Sequence, residues 1–173
     1  MSTPSSIARR IESSLIAYFD NDFEGSLVHL FPAMDKTAKL RWPTKKVGER
    51  IRDFISAQHN IITYLSMGVS IGYLDVNGVT LPEAIYKFGR TSIAHEGELD
   101  KRLVITASGD VSISETWCLP SNFILALIVA VISANENSRE SIRGDIFITI
   151  HNEKFSANEL FGREDYLRDD ILP

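Results

Sequence analysis

Arg90 and His95 are the two residues whose types and spacing could do chemistry together. Histidine, with a reference pKa near ~6.5, can take or give a proton at neutral pH. Arginine carries a permanent charge and presents a planar fork of donors that matches the non-bridging oxygens of a phosphate. Cleavage inside an RNA strand needs the 2′-hydroxyl deprotonated, the phosphorane stabilised and the leaving 5′-oxygen protonated. This pair can serve those steps without a metal or a cofactor, and Thr91 adds a hydroxyl next to the arginine. Five positions apart, the two side chains lie ~140° from each other on an ideal helix. A shared site therefore needs the helix to end near His95, or two subunits that each supply a pair. The same residues also have a purely structural use: Arg90 pairing with Glu83 or Glu98, and His95 bonding the terminal carbonyls of its helix.

The other candidates rank behind this pair. Lys36, Lys39, Arg41, Lys45, Lys46, Arg50 and Arg52 stand against the single acid Glu49, so this stretch carries +6 while the chain as a whole carries −5. One basic face could steer a phosphate backbone, with Lys45, Lys46 and Arg50 as substrate-binding candidates, while the remaining surface repels it. A solvated helix face followed by a turn explains the same run. His95-Glu96-Gly97-Glu98 with Asp100 lacks the second histidine of a His-Glu-x-x-His zinc site, and His29, His59 and His151 are scattered, so no metal site is expected. No glycine-rich phosphate loop occurs. The single cysteine, Cys118, reads as a small buried apolar residue in a reducing compartment, and Trp42 and Trp117 read as core or interface anchors.

The elements that must position these residues are mostly helical. Ile7, Ile11, Leu15 and Tyr18-Phe19 recur at helical spacing up to a stop at Asp20-Asn21-Asp22. Leu27, Phe31, Met34 and Ala38 define a second helix, in which Pro32 should cause a kink or open a new helix. Val47, Ile51, Phe54 and Ile55 define a third, running on weakly through Ile61, Ile62 and Leu65. Asn77-Gly78 marks a tight turn. Thr80-Leu81-Pro82-Glu83 then starts a helix that carries Arg90 and runs to about Glu96, with Gly97 as its end. Leu103-Val104-Ile105 and Val111-Ser112-Ile113 read as a hairpin around 103–113, and Asp145 to Ile150 as a third strand. The run from Phe123 to Ala134 is apolar all round and only about 18 Å long as a helix, too short for a ~30 Å bilayer core. Ser156-Ala157-Asn158-Glu159 has the capping-box pattern ahead of a final acidic helix. The expected fold is mainly α: a single domain over residues 1–173, a helical bundle with a small antiparallel β-sheet. With no signal-peptide core near the N-terminus, a cytoplasmic location away from membranes is expected.

An Arg-x4-His spacing near a helix end in a small helical protein resembles the HEPN superfamily. The stretches Phe31-Pro32-Ala33-Met34-Asp35-Lys36-Thr37-Ala38 and Val47-Gly48-Glu49-Arg50 also look like those of stand-alone bacterial proteins of unassigned function. The resemblance implies a helical bundle acting as a homodimer, a metal-independent endoribonuclease with Arg90 and His95 in a composite site, RNA as substrate, and an antitoxin-like protein as a further partner. Thr91 departs from that pattern, because catalytic members usually carry Asn, Asp or His directly after the arginine. Two other readings of the same fold stand beside this one: a non-catalytic scaffold or phosphate-binding protein, and a regulatory module whose acidic surface meets a basic partner.

Overall fold

The computed structural model describes residues 3–173, and the chain is mainly helical with three small sheets. Helix α1 (Ser6–Phe19) starts where the Ser5 hydroxyl accepts from the Ala8 N–H, buries Ile7, Ala8, Ile11 and Leu15, and stops just before Asn21, whose φ of 61° no helix continues. Helix α2 (Phe23–Arg41) is capped by Asp22, whose carboxylate accepts from the Gly25 N–H at 2.8 Å. It runs as one helix through Pro32, so no new helix starts there. Pro32 faces solvent, and its missing N–H leaves the Val28 carbonyl without its i+4 donor.

The third amphipathic segment is two helices, α3 (Val47–Ala57) and α4 (His59–Met67), parted at the buried Gln58. A two-residue turn follows, with Asn77 and Gly78 at φ of 55° and 78° between β1 (Asp75–Val76) and β2 (Val79–Thr80). Thr80 caps the next helix, its Oγ1 accepting from the Glu83 N–H, with Pro82 in the first turn as expected. That helix begins as α5 (Leu81–Ala84), widens into a π-helical stretch over Ile85–Thr91, and closes as α6 (Ser92–Glu96) with Gly97 in the left-handed conformation. Gly89 lies in the π stretch against α2, and a Cβ there would meet Phe31 Cζ at 3.0 Å.

The strand segments fall where expected, but their pairing differs. Strands β3 (Leu103–Thr106) and β4 (Ser112–Ile113) do not pair with each other. Both flank β5 (Trp117–Pro120), β3 parallel and β4 antiparallel. Trp117 and Leu119 are almost wholly buried, and the segment with the most apolar surface to hide takes the central position. Cys118, between them, is only half-buried, against the expectation that it would be a fully buried residue. The third predicted strand belongs to a separate hairpin, β6 (Phe147–Ile150) with β7 (Glu153–Ser156), closed by His151-Asn152. Its alternation holds: Ile148 and Ile150 are buried, Phe147 and Thr149 exposed.

Helix α7 (Asn122–Ser133) is buried along nearly its whole length and packs against α1, α2 and α4. No helix among the described residues is long and apolar enough to cross a membrane. The final acidic segment is broken: α8 (Ala157–Leu160) follows its Ser156–Glu159 capping box, Gly162 turns the chain at φ 70°, and α9 (Glu164–Tyr166) runs into a π-helical end over Leu167–Ile171.

Charge also ties the chain's end to its middle. The Arg41 guanidinium donates through Nε to Glu136 at 2.7 Å and through Nη2 to Glu164 at 2.6 Å. Arg168 donates to the other oxygen of Glu164 and to Gln58 Oε1. Burial would push the Glu164 carboxyl up, but hydrogen bonds from Arg168 and Arg41 and their charges hold it below the ordinary carboxylate range. A carboxyl with a lowered native pKa contributes stability in full above its unfolded pKa and loses it as the pH falls through the native value. Glu164→Gln should therefore cost about 2–3 kcal/mol at neutral pH, from a buried site holding two arginines. The difference from wild type in urea denaturation should shrink as the pH falls below the ordinary carboxylate range; a pH-independent difference would contradict this assignment.

Candidate functional site

Arg90 lines an open groove of about 320 Å³ between α2 and the Leu81–Glu96 helical run. Val28, Phe31, Pro32, Ile93 and Ala94 make apolar walls, and Asp35 lies at one side. The groove follows from local sequence. Gly89 lets the two helices approach closely at Phe31, and Pro32 replaces a hydrogen-bonded turn with a smooth apolar face. The π-helical stretch ends at Thr91, and wide turns of this kind recur at functional sites.

Within this groove Arg90 is the available cation. It is half-buried, and among the described residues no carboxylate reaches it within salt-bridge distance. Its guanidinium carbon lies 6.0 Å from the centroid of Tyr86, one helical turn earlier. Asp35 does not neutralise it, because that carboxylate is held by Arg50 through Nε at 3.0 Å and Nη2 at 2.8 Å. Partial removal from water strengthens any hydrogen bond the Arg90 fork makes to an anion.

The remaining sequence candidates are placed differently. His95 sits in the last turn of α6, exposed, and is not among the groove-lining residues. Arg90, Ile93 and Ala94 share the groove face, and the next position, His95, is rotated roughly 100° further round the helix. Within one subunit His95 is thus not part of the groove that Arg90 lines. Thr91 turns inward: its Oγ1 is closed off from solvent and has no hydrogen-bond partner among the described residues. Arg50 is committed to Asp35 and to the Lys45 carbonyl. Lys45 pairs with Asp53 and lies over the Trp42 ring, and Lys46 is the exposed residue before α3.

The basic stretch is thus not one free positive face. Arg41, Lys45 and Arg50 each hold a carboxylate, and the Lys36 ammonium donates to the Ser6 hydroxyl. Among the described residues no three His, Cys, Asp or Glu side chains gather to hold a metal ion. His29, near Arg10, has its pKa lowered by burial and then by that charge, and it lies outside the groove.

Sequence reasoning missed Tyr86 and the groove walls. The signal for Tyr86 was present as Tyr86-x3-Arg90, a spacing that stacks two side chains on one helix face. Nothing in the order of residues announced that Val28 and Pro32 would face Ile93 and Ala94, because that depends on how two helices pack.

No curated protein and no solved structure matches the chain. A family model does match, across residues 6–172, and its span takes in α1, the groove, the sheets and the π-helical end. The chain belongs to the Rv1289 family.

Proposed function

We propose that this protein binds a small anion-headed ligand, phosphate-bearing in the first instance, in the Arg90 groove, and that the groove itself is a binding site and not a catalytic one. The observation that carries this reading is the half-buried Arg90 guanidinium, without a carboxylate partner among the described residues, at the edge of an apolar cleft. A cation in such a setting gains from an incoming anion what it otherwise takes from water. The apolar walls favour a ligand with a non-polar body behind its charged head. The surroundings favour a compact ligand over a long polymer, since the chain carries a net charge of −5 and Arg41, Lys45 and Arg50 of the basic stretch are held in internal ion pairs.

A second reading, the HEPN-like ribonuclease, keeps one supporting observation. His95 stands exposed on a terminal turn and is free to enter the groove of another copy. In that arrangement Arg90 of one subunit would stabilise the phosphorane and His95 of the other would move the protons.

Two measurements decide between these readings. Arg90→Met keeps most of the apolar stem and removes the fork. Titration with orthophosphate, followed by backbone amide resonances, should show the groove signals of Val28, Ile93 and Ala94 shifting in wild type. The apparent Kd should rise about 10-fold or more in the variant, the loss of one charge-assisted contact; unchanged binding would remove the proposal. For the ribonuclease reading, labelled single-stranded RNA is incubated in EDTA with Arg90→Ala, with His95→Ala, and with the two variants mixed. Each variant alone should be inactive and the mixture should recover cyclic-phosphate products. An inert wild type, or no recovery on mixing, leaves the binding reading alone.

A further inference from the structure

Arg90 is not the only arginine on Tyr86. The Arg52 guanidinium carbon lies 5.0 Å from the same ring centroid, and that of Arg90 6.0 Å, so the two charges are no more than about 11 Å apart. Neither has a carboxylate within salt-bridge distance among the described residues, and both side chains are half-buried. Two unpaired like charges, each partly out of water, thus share one ring that attracts both.

The arrangement is built by two facing helices. Gly48 and Arg52 lie one turn apart on α3, and Tyr86 and Arg90 one turn apart on the helix that follows β2. The Tyr86 ring is wedged against the first turn of α3. A Cβ at Gly48 would sit 2.7 Å from the Tyr86 hydroxyl, so position 48 has to stay bare for the ring to lie there. A flat, fixed aromatic surface thus holds two planar forks in place before any ligand arrives, which lowers the ordering cost of binding.

We propose that Arg52 and Arg90, set on the Tyr86 ring, form a two-point site for a small ligand carrying two or more linked phosphate groups, one taken by each guanidinium. This rests on the reading of the Arg90 groove as an anion site, and it adds the ligand's second charge and the residue that meets it. It also gives a use to two unpaired arginines set on one aromatic ring.

The test is titration of the whole protein with orthophosphate and with tripolyphosphate, without divalent ions and at constant ionic strength, so that screening is the same throughout. Wild type should bind tripolyphosphate at least about 10-fold more tightly than orthophosphate, the worth of one added charge-assisted contact. Arg52→Met should erase that margin, whereas Arg90→Met should weaken both anions. Should Arg52→Met fail to fold, the side-chain Nε–H resonances of wild type serve instead: those of Arg52 and Arg90 should shift together and saturate at one tripolyphosphate concentration. If Arg90→Met weakens orthophosphate but the margin survives Arg52→Met, or the Arg52 resonance stays still, the two-point site is wrong while the groove stands. If wild type binds neither anion, both fall. Binding of a short oligoribonucleotide with no response to tripolyphosphate would also overturn this proposal, by replacing a compact ligand with a strand.

Discussion

The rest of the structure depends on burying α7, a helix with no polar side to offer. Ile124, Leu127, Ile128, Val131 and Ile132 are each nearly inaccessible, and Phe123 and Val129 on other faces are equally so. Each such side chain contributes roughly 1.5–3 kcal/mol only if other apolar surface covers it. That requirement forces a shell around α7, and the chain supplies α1, α2 and α4 with complementary stripes, while the β6–β7 hairpin adds Ile148 and Ile150. The helices that make the Arg90 groove are held indirectly by the same demand. Helix α2 packs on α7 with one side, and its opposite side, carrying Val28 and Pro32, becomes the groove wall. A site built this way is carried on elements that the core fixes, which keeps Arg90 and Tyr86 in register without a ligand.

How much of this was legible follows from how far each cue reaches along the chain. Local cues did well. The Asn77-Gly78 turn, the Thr80 cap with Pro82 behind it, the Gly97 stop and the Ser156–Glu159 box all formed, because each depends on residues within a few positions. Strand pairing did not follow from local cues. Leu103–Thr106 and Ser112–Ile113 look like two arms of a hairpin, yet the competition for the centre of the sheet was decided by Trp117 and Leu119, further along the chain. Of the two readings of Pro32, a restart is excluded, because the helix continues through it with the proline on an exposed face.

The site was legible only in part. Arg90 could be singled out because its residue type stands out and its helix was well bounded. The basic stretch from Lys36 to Arg52 was overcounted as a free face: Asp35 and Asp53, one residue beyond its two ends, hold Arg50 and Lys45, and only Arg41 finds its partners, Glu136 and Glu164, about a hundred residues away in sequence. Spacing alone likewise could not separate Arg90 from His95. The helix widens and then tightens again between them, and Arg90 lines a cleft while His95 is exposed outside its lining.

The two kinds of arginine in this fold show what the difference means. Arg41 and Arg50 meet carboxylates in paired geometry, so their charge is spent within the molecule and their role is to hold α2 to its neighbours. Arg52 and Arg90 rest on one aromatic ring that attracts them without cancelling their charge. A paired guanidinium has little left to offer a ligand, whereas one lying on a ring keeps most of its donors and all of its charge. Both arginines stay open while Arg41, Lys45 and Arg50 of the neighbouring stretch are matched, and two open forks on one ring are what an anion-binding site requires.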